Sequence, residues 1–342
     1  MSSDSPIKVS VAMITYNHEE FIAKALDSVL MQRTNFDYEI VIGEDCSTDN
    51  TRNIIIDYQK RHPDKFRLLL NEKNLGMHRN AAQVHHACKG EYIALLEGDD
   101  YWTSPHKLQK QVDFLESHPE CAICFHNVTE VYKDGSRESH SFHNNQKAFS
   151  TVEDLLPGNF IPTPSTMFRN GLVTELPEWW FSLQMGDWPL HILNARHGKI
   201  GYINEVMAVH LNHPAGVWFR MTESWLERNK ASIVVYDHLY THLEAKYRPI
   251  IARLLHELCL RIAREYENMG ELTSARSYAM RSFTKHFLVS RKSYKILLRL
   301  YVPILYKLLR SLKRATYLIM KKIYDILARL SAKIQTSFGI YH

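Results

Sequence analysis

Residues 92–100 read YIALLEGDD, and residues 38–45 read YEIVIGED. In both stretches a short apolar run ends in a cluster of acids. Apolar runs of this length are typical of strands that are buried on both faces of a sheet. In an open α/β sheet the ligand binds just beyond the carboxyl ends of the strands. The two stretches therefore predict an α/β fold with an acidic ligand site along one edge of its sheet.

The acids at these two strand ends also predict a cation. Carboxylates that are brought together at the edge of a sheet repel one another and must lose water, unless a positive group lies between them. Ligands that are all oxygen atoms favour Mn²⁺ or Mg²⁺ over zinc. We therefore expect a divalent metal ion to be the cofactor of this site.

Strand and helix patterns alternate over the first third of the chain. We expect strands at residues 8–14, 38–42, 66–70, 91–96 and 121–128, and helices at 19–31, 48–62, 77–88 and 105–117. This order predicts a mostly parallel, doubly wound sheet with helices on both faces. Prolines at 157, 162, 164, 177 and 189 interrupt residues 129–220, where short elements should complete the sheet and build the far wall of the site. Residues 221–288 have a helical pattern throughout, with a turn at Met269-Gly270.

Composition restricts the class of protein. The chain has 342 residues, of which 45% are hydrophobic and 23% are charged, as in ordinary globular proteins. Its five cysteines are scattered and odd in number, which argues against a disulfide framework and for a reducing compartment. The first residues, MSSDSP, lack the basic and apolar regions of a signal peptide. We therefore expect a cytoplasmic protein.

The charge is distributed unevenly. Residues 281–342 contain 14 Lys or Arg and one acid, so this segment carries +13 and the rest of the chain −8 of the net +5. Leucine, isoleucine and tyrosine are mixed with these basic residues over 289–335, but the longest uncharged run, Leu300–Tyr306, is far shorter than the roughly 20 residues that span a bilayer. A basic amphipathic helix lying on an anionic membrane surface is the favoured interpretation. The alternative is a helix packed on the protein itself or on a second subunit of a homo-oligomer.

Five motifs, taken together, resemble the family 2 glycosyltransferases. They are VAMITYN at 11–17, EDCSTD at 44–49, NLG at 74–76 with Arg79-Asn80, EGDD at 97–100, and Gly186-Asp187. The resemblance implies a GT-A fold over residues 1–220, followed by the helical region 221–288 and the basic tail 289–342. It also implies an inverting, metal-dependent transfer of a sugar from a nucleotide-sugar, with UDP as the favoured nucleotide, to an acceptor hydroxyl.

The resemblance assigns roles to individual residues. The implied nucleotide-binding residues are Thr15, Tyr16, Asn17, Glu20, Asp45, Asn74, Gly76, Arg79, Glu97 and Gly98. Asp99 is the implied metal ligand, and His213 a second ligand to the metal or the diphosphate. Glu97 stands where the family has the first Asp of its Asp-x-Asp motif, so it could contact the ribose or a metal-bound water instead. Asp187 is the implied general base.

Several of these residues also suit a purely structural role. Asn17 and Asp187 lie where a helix N-cap would lie, and Ser47, Thr48 and Asp49 could be caps or ligands equally well. His210 lies nearer strand-like residues, and we expect it to be structural. Trp179, Trp180, Trp188 and Trp218 could form an acceptor platform or simply belong to the core.

The basic tail and the family together predict the partners. We expect a nucleotide-sugar donor and a glycan or lipid-linked acceptor of bacterial surface polysaccharide or lipopolysaccharide synthesis, at the inner face of the cell membrane. Nucleic acid is disfavoured because the tail is rich in Leu and Ile. The alternatives are a non-catalytic nucleotide-sugar-binding or scaffold protein with the same fold, and a nucleotidyltransferase, which would release pyrophosphate.

Overall fold

The strands of the protein form one mixed sheet. The computed structural model describes residues 6–143, 145–214, 216, 224–284, 291–304, 306–307, 309–311, 317 and 321. In these residues the strands are β1 (Val9–Thr15), β2 (Tyr38–Glu44), β3 (Phe66–Leu70), β4 (Tyr92–Leu95), β5 (Tyr101–Trp102), β6 (Cys121–Tyr132), β7 (His140–Ser141), β8 (Phe149–Ser150), β9 (Met167–Arg169) and β10 (Lys199–Asn212).

The strand order explains where the acidic motifs meet. The sheet has the order β3-β2-β1-β4-β9-β6-β10-β5, with β7 on β6 and β8 on β10. Strands β3, β2, β1 and β4 run parallel, and so do β6 and β10, whereas β9 is antiparallel to both of its neighbours. The carboxyl ends of β1, β2 and β4, which carry the acidic and TYN motifs, therefore lie side by side. The predicted mostly parallel α/β sheet is confirmed.

Helices cover the sheet on both faces. Within the sheet-containing part of the chain the helices are α1 (Ile22–Leu30), α2 (Thr51–Arg61), α3 (Met77–Ala87), α4 (Lys107–Ser117), α5 (Val152–Leu155), α6 (Asp187–Ala195) and α7 (Trp225–His242). Every residue of β2 is buried, as expected of a strand with helices on both sides. Gly43 in β2 packs so closely on α3 that an added Cβ would lie 2.6 Å from Val84 Cγ2.

Two predicted boundaries differ from the structure for identifiable reasons. Helix α1 begins at Ile22 rather than Glu19, because the backbone N–H groups of His18 and Glu19 donate to side chains at Thr51 and Asp49. Strand β6 continues to Tyr132, beyond the predicted residue 128, because its parallel partner β10 pairs with it as far as Asn212. Cys121 and Cys124 are buried free thiols in β6, as predicted.

The chain divides into two compact units, Met1–Ile250 and Ile251–His342. The first unit extends beyond residue 220, the predicted end of the catalytic domain. Helix α7 belongs to it because Tyr236 donates a hydrogen bond to the Leu156 carbonyl (2.8 Å) and packs edge-to-face on Trp188.

The second unit is helical. From Ile251 onward it contains α8 (Arg248–Asn268), α9 (Leu272–Thr284) and α10 (Arg291–Tyr301). The predicted turn at Met269-Gly270 separates α8 from α9, and Gly270 has the positive φ (81°) that glycine adopts readily. In the part of the chain that the structure describes, no helix is both long and apolar enough to cross a bilayer.

The first part of the predicted basic tail is packed rather than exposed. Ile296 and Leu300 of α10 are buried, and Arg299 forms an ion pair with Glu267 of α8. Helix α10 ends at Tyr301, just before Pro303, which cannot continue the hydrogen bonding of a helix. Most of the tail beyond this point lies outside the described residues. The membrane interpretation of the tail stays a prediction.

Candidate active site

A cavity of about 470 Å³ opens at the carboxyl ends of β1, β2 and β4. It contains most of the residues that the sequence motifs single out. The predicted site residues that line it are Thr15, Tyr16, Asp45, Asn74, Gly76, Glu97, Asp99, Asp187 and His213. Four others, Asn17, Glu20, Arg79 and Gly98, do not line it.

The acidic cluster Glu97, Asp99 and Asp100 forms one wall of the cavity. One carboxylate oxygen from each residue lies within 4.8 Å of the others. Burial raises the pKa of Glu97 well above its usual value, and repulsion from Asp99, Asp100 and Asp187 adds to this effect. Burial also raises the pKa of Asp100 to about 7, with Asp99 adding to the effect and His210 opposing it. Burial and mutual repulsion therefore both oppose the ionisation of Glu97 and Asp100.

These residues fit a divalent cation. Their ligand atoms are carboxylate oxygens, which Mg²⁺ and Mn²⁺ prefer. Asp100 Oδ2 is buried and has no hydrogen-bond partner among the described residues. A positive ion between the three carboxylates would provide that partner and would relieve the repulsion that adds to the raised pKa values of Glu97 and Asp100.

Two histidines lie beside Asp99. His213 Nε2 is 2.9 Å from Asp99 Oδ2, and His18 Nε2 is 3.8 Å from the same oxygen. Burial raises the pKa of Asp99, but the hydrogen bond from His213 and the charges of His18 and His213 together outweigh burial, and the net shift is downward. His213 is thus placed near the acidic cluster, as the sequence predicts, and its role as a metal ligand stays a prediction.

Gly98 allows β1 and the acidic loop to approach each other. A Cβ at this position would lie 2.6 Å from Thr15 Oγ1 and 2.8 Å from His18 Nδ1, closer than atoms can pack. Gly98 therefore lets the acidic loop pack against Thr15 and His18 without itself lining the cavity. Its backbone N–H donates to the Ile14 carbonyl (3.1 Å).

His210 has an electrostatic role that sequence reasoning missed. It lies in β10 with its Nδ1 3.5 Å from Glu130 Oε1. Burial opposes its protonation, but Asp100 and Glu130 favour it and raise the pKa of His210 to about 9. The adjacent Leu211 N–H donates to Asp100 Oδ1 (2.8 Å), so β10 supplies both a cation and a hydrogen bond to the acidic cluster.

Asp45 builds the opposite wall of the cavity. Its carboxylate accepts hydrogen bonds from the backbone N–H groups of Leu75 (2.8 Å) and Gly76 (2.9 Å) and from Asn71 Nδ2 (3.0 Å). Asn74 Nδ2 donates back to the Asp45 carbonyl (3.1 Å). Gly76 has a φ of 83°, which L-residues rarely adopt. Asp45, Asn74 and Gly76 thus form a single hydrogen-bonded turn facing the cavity.

The TYN turn is held by the loop that follows β2. The N–H groups of Asn17 and Glu19 donate to Ser47 Oγ (3.0 Å) and Asp49 Oδ2 (3.0 Å), and Asn17 Oδ1 accepts from Thr48 N (2.8 Å). These N–H groups are therefore engaged within the protein. Thr15 and Tyr16 remain the members of the turn that line the cavity.

Glu20 and Arg79 lie away from the cavity wall. Glu20 forms an exposed ion pair with Lys133, which follows β6. Arg79 is exposed on the first turn of α3. Their predicted roles in nucleotide binding stay predictions.

Asp187 lies on the cavity wall at the start of α6. Its Oδ2 accepts a hydrogen bond from Asn159 Nδ2 (2.8 Å). The preceding Gly186 packs closely on Trp180, since an added Cβ would be 2.8 Å from Trp180 Cζ2. Of the four tryptophans considered above, Trp180 lines this cavity, Trp179 lines another, Trp188 is buried, and Trp218 lies outside the described residues.

Several cavity residues had no signal in the sequence. Asn159, His78, His18 and Glu130 all line the cavity, yet none belongs to a motif that ends a strand. Asn159 lies in the irregular region of short elements, where its spatial neighbours cannot be deduced from spacing. The nearest clue is His18, which directly follows the TYN motif.

The part of the chain that contains most of the sheet and the carboxylate cluster matches known proteins. Residues 10–174 match the family model described as glycosyl transferase family 2, and this region of the chain belongs to that family. An uncharacterized protein of Mycobacterium tuberculosis is 42% identical over 211 residues, which cover 61% of this chain and 60% of the relative. The putative teichuronic acid biosynthesis glycosyltransferase TuaG of Bacillus subtilis is 31% identical. The match covers 45% of this chain and 58% of TuaG.

Two solved structures show the same fold. Residues 1–349 of TarS from S. aureus, in complex with UDP-GlcNAc, align with a TM-score of 0.51 and 16% identity over 80% of this chain and 90% of that one. The mannosyltransferase PcManGT from Pyrobaculum calidifontis, in complex with GDP-Man and Mn²⁺, aligns with a TM-score of 0.55 and 17% identity over 90% and 84%. The chain spans about 60% of the length of the curated relatives that it matches first.

Proposed function

We propose that this protein is a metal-dependent, inverting glycosyltransferase that moves a sugar from a nucleotide-sugar to an acceptor hydroxyl. One observation carries the proposal: the carboxylates of Glu97, Asp99 and Asp100 share one cavity with Asp187. The first three form a cluster that suits a cation and a diphosphate. Asp187 is close enough to raise the pKa of Glu97, yet its carboxylate does not belong to that cluster.

The acidic cluster would hold the donor through a metal ion. Asp99 is the principal ligand in this proposal, with Asp100, Glu97 and His213 around it. A bound Mn²⁺ or Mg²⁺ would neutralise the negative charge of the departing diphosphate. The Mn²⁺ in the PcManGT structure supports this assignment.

Asp187 would act as the general base. It would take the proton of the acceptor hydroxyl while that oxygen attacks the anomeric carbon of the donor. The bond to the diphosphate breaks on the opposite face of the sugar through an oxocarbenium-like transition state, and the nucleoside diphosphate leaves with the bonding electron pair. A single displacement of this kind inverts the anomeric configuration.

The donor and acceptor follow from weaker observations. A UDP-sugar is the first donor to test, since TarS has the same fold and was crystallised with UDP-GlcNAc. The similarity to TuaG and the basic tail support an acceptor of bacterial surface polysaccharide, presented as a glycan or on a lipid at the inner face of the membrane.

A donor panel tests this function. The purified chain is incubated with Mn²⁺ or Mg²⁺ and a series of UDP-, GDP-, dTDP- and CDP-sugars, and the release of nucleoside diphosphate is followed. We expect release from one donor, lost in Asp99→Ala and Asp187→Ala and retained in Asp134→Ala, which removes an exposed carboxylate from the turn after β6. A parallel reaction supplies a nucleoside triphosphate and a sugar 1-phosphate, and release of pyrophosphate from that mixture would indicate a nucleotidyltransferase. A nucleotide that raises the Tm without turnover, even after addition of a membrane lipid extract, would support a non-catalytic binding protein.

A further inference from the structure

We propose that Asn159 is the positioning residue for Asp187, which it holds with one carboxylate oxygen engaged and the other free to accept a proton. This inference rests on the proposed function, because it assigns Asp187 as the base. Asn159 Nδ2 donates to Asp187 Oδ2 at 2.8 Å, and both residues line the cavity. Among the described residues Asp187 Oδ1 has no hydrogen-bond partner, so Oδ1 is the oxygen available to the acceptor hydroxyl.

The orientation of the Asn159 amide is fixed by its second hydrogen bond. Asn159 Oδ1 accepts from the backbone N–H of Ile161 (3.1 Å). Because the oxygen is used in this local turn, the NH₂ group must point to Asp187, where it can only donate. The side chain is therefore locked as a donor toward the carboxylate.

The loop and the helix that carry this pair are tied together independently of it. Trp188, the residue after Asp187, donates its indole N–H to the Leu155 carbonyl (3.0 Å), just before the loop that contains Asn159. The Leu156 and Phe160 carbonyls are held by Tyr236 (2.8 Å) and His143 (2.7 Å). Removing the Asn159 amide also removes its hydrogen bond from Ile161 N, but these three contacts should keep the loop in place while the Asp187 side chain is freed.

The titratable side chains near Asp187 are two histidines and a glutamate. His78 on α3 and His191 on α6 both face it, and burial lowers the pKa of each, that of His191 to about 4. Glu97 is the other titratable group within range. In the described part of the chain no Lys or Arg forms an ion pair with Asp187. A cation in the place of Asn159 would lower the pKa of Asp187 and so weaken it as a base. A neutral amide orients the carboxylate without lowering its pKa in this way.

A double-mutant cycle tests the positioning role. The rate of nucleoside diphosphate release, with the donor found in the panel, is measured for the wild type, Asn159→Ala, Asp187→Asn and the double variant. We expect Asn159→Ala to lower kcat by about 100-fold, since displacement of a reacting group by 1 Å can have this effect, and to leave the donor KM within about twofold. In the Asp187→Asn background the same change should alter the rate by less than about twofold.

The pH profile separates positioning from folding. Asn159→Asp places a like charge beside the base, which should raise the pKa of Asp187 and move the acid limb of kcat to higher pH. Asn170→Ala is the control, because Asn170 also uses both ends of its amide, but outside the cavity: its Oδ1 accepts from Gly171 N (2.8 Å) and its Nδ2 donates to the Gly90 carbonyl (2.8 Å). It should leave both kcat and the limb unchanged.

The outcomes distinguish the two proposals. Wild-type activity in Asp187→Asn would overturn the proposed base itself. Activity lost in Asp187→Asn but retained in Asn159→Ala would overturn only the positioning role. The same fold-loss from Asn159→Ala in both backgrounds, or an acid limb that does not move in Asn159→Asp, would also overturn it.

Discussion

At the scale of single residues, the acidic cluster makes the stability of the protein depend on pH and metal together. The folded protein raises the pKa of Asp100 to about 7 through burial, whereas an unfolded aspartate titrates near 4. Between these pH values the folded state binds this proton more tightly, so the contribution of Asp100 to stability is present at low pH and is lost as the pH rises through 7. A divalent cation should restore it.

This dependence is measurable as a thermal shift. In protein freed of metal with EDTA, added Mn²⁺ should raise the Tm more at pH 8 than at pH 6, because protons compete with the metal at the lower pH. Asp100→Asn should reduce the difference between the two pH values. An equal Mn²⁺ shift at both pH values, unchanged in Asp100→Asn, would contradict the assignment of the cluster as the metal site.

At Gly98 the structure predicts that even a methyl group would destabilise the protein. In Gly98→Ala the new methyl group would overlap Thr15 and His18, so both must move. We expect the free energy of unfolding to fall by about 1–3 kcal/mol, as for other overpacked sites, and metal-dependent nucleotide binding to weaken. Urea unfolding and calorimetry check the two effects.

Gly158→Ala is the control for Gly98→Ala. A Cβ at Gly158 meets no atom within 4 Å and its φ is not positive, so the change should stay within about 0.5 kcal/mol. Equal stability of the two variants would show that the close approach at Gly98 is not required.

The part of the site that the sequence predicts is the part that follows from strand ends. Asp45, Glu97 and Asp99 could be placed because each ends an apolar run, and parallel strands bring their carboxyl ends together. Asn159 and His78 could not, since they reach the cavity through an irregular loop and a helix whose positions depend on packing. Glu20 shows the converse, because its motif position suggests a ligand while the structure pairs it with Lys133, which is 113 residues away in sequence.

At the scale of elements, helix α4 begins with a buried lysine, Lys107, whose charged form destabilises the fold. Lys107 is fully buried, its Nζ lies 3.9 Å from the centre of the Trp102 ring, and this nitrogen has no hydrogen-bond partner among the described residues. Burial lowers its pKa to about 7, against 10.5 for an ordinary lysine. Between these values the unfolded state binds more protons, so the penalty is greatest at low pH and stability should rise with pH from 7 toward 10.

Lys107→Met removes this penalty. We expect the free energy of unfolding at pH 7 to increase by about 1–3 kcal/mol, as when buried charged groups are replaced by apolar ones of similar size. The rise in stability from pH 7 to 9.5 should also flatten. Urea unfolding at the two pH values measures both effects.

Lys110→Met on the same helix is the matched control. Lys110 is half-exposed and pairs with Glu205, so its loss should change stability by less than about 0.5 kcal/mol. A loss of stability in Lys107→Met would show that the buried ammonium makes interactions that outweigh its desolvation.

The elements themselves were largely predictable, and their ends were not. The apolar period distinguishes the strands and helices of residues 8–128, where each element buries one stripe or both faces. The ends of α1 and β6 depend on partners 30 or more residues away in sequence, namely Asp49, Thr51 and β10, and local patterns do not report these contacts.

At the scale of the whole molecule, the structure narrows the segment that could bind a membrane. Helix α10 buries Ile296 and Leu300 against its own unit, so its apolar side is not available to lipid. Residues 303–342 still carry eight Lys or Arg and one acid. Each such cation contributes about 1 kcal/mol near an anionic surface.

A chain that ends at Val302 therefore tests the membrane proposal while keeping helix α10. We expect the full chain to sediment with vesicles of 30% phosphatidylglycerol in phosphatidylcholine, and the shortened chain to bind at least about tenfold more weakly. Both should remain unbound with neutral vesicles. Equal sedimentation of the two chains with the anionic vesicles would contradict a membrane role for residues 303–342.

The central claim is that Asp99 binds the metal and Asp187 acts as the base, and measuring binding and turnover separately tests it most directly. Mn²⁺-dependent nucleotide binding, by calorimetry, and nucleoside diphosphate release are measured for the wild type, Asp99→Asn and Asp187→Asn. We predict that Asp99→Asn loses Mn²⁺-dependent binding, whereas Asp187→Asn binds within about twofold of the wild type and loses at least about 100-fold in rate, as expected when a general base is removed. Nucleotide binding that needs neither Mn²⁺ nor Asp99, or wild-type turnover in Asp187→Asn, would contradict the account.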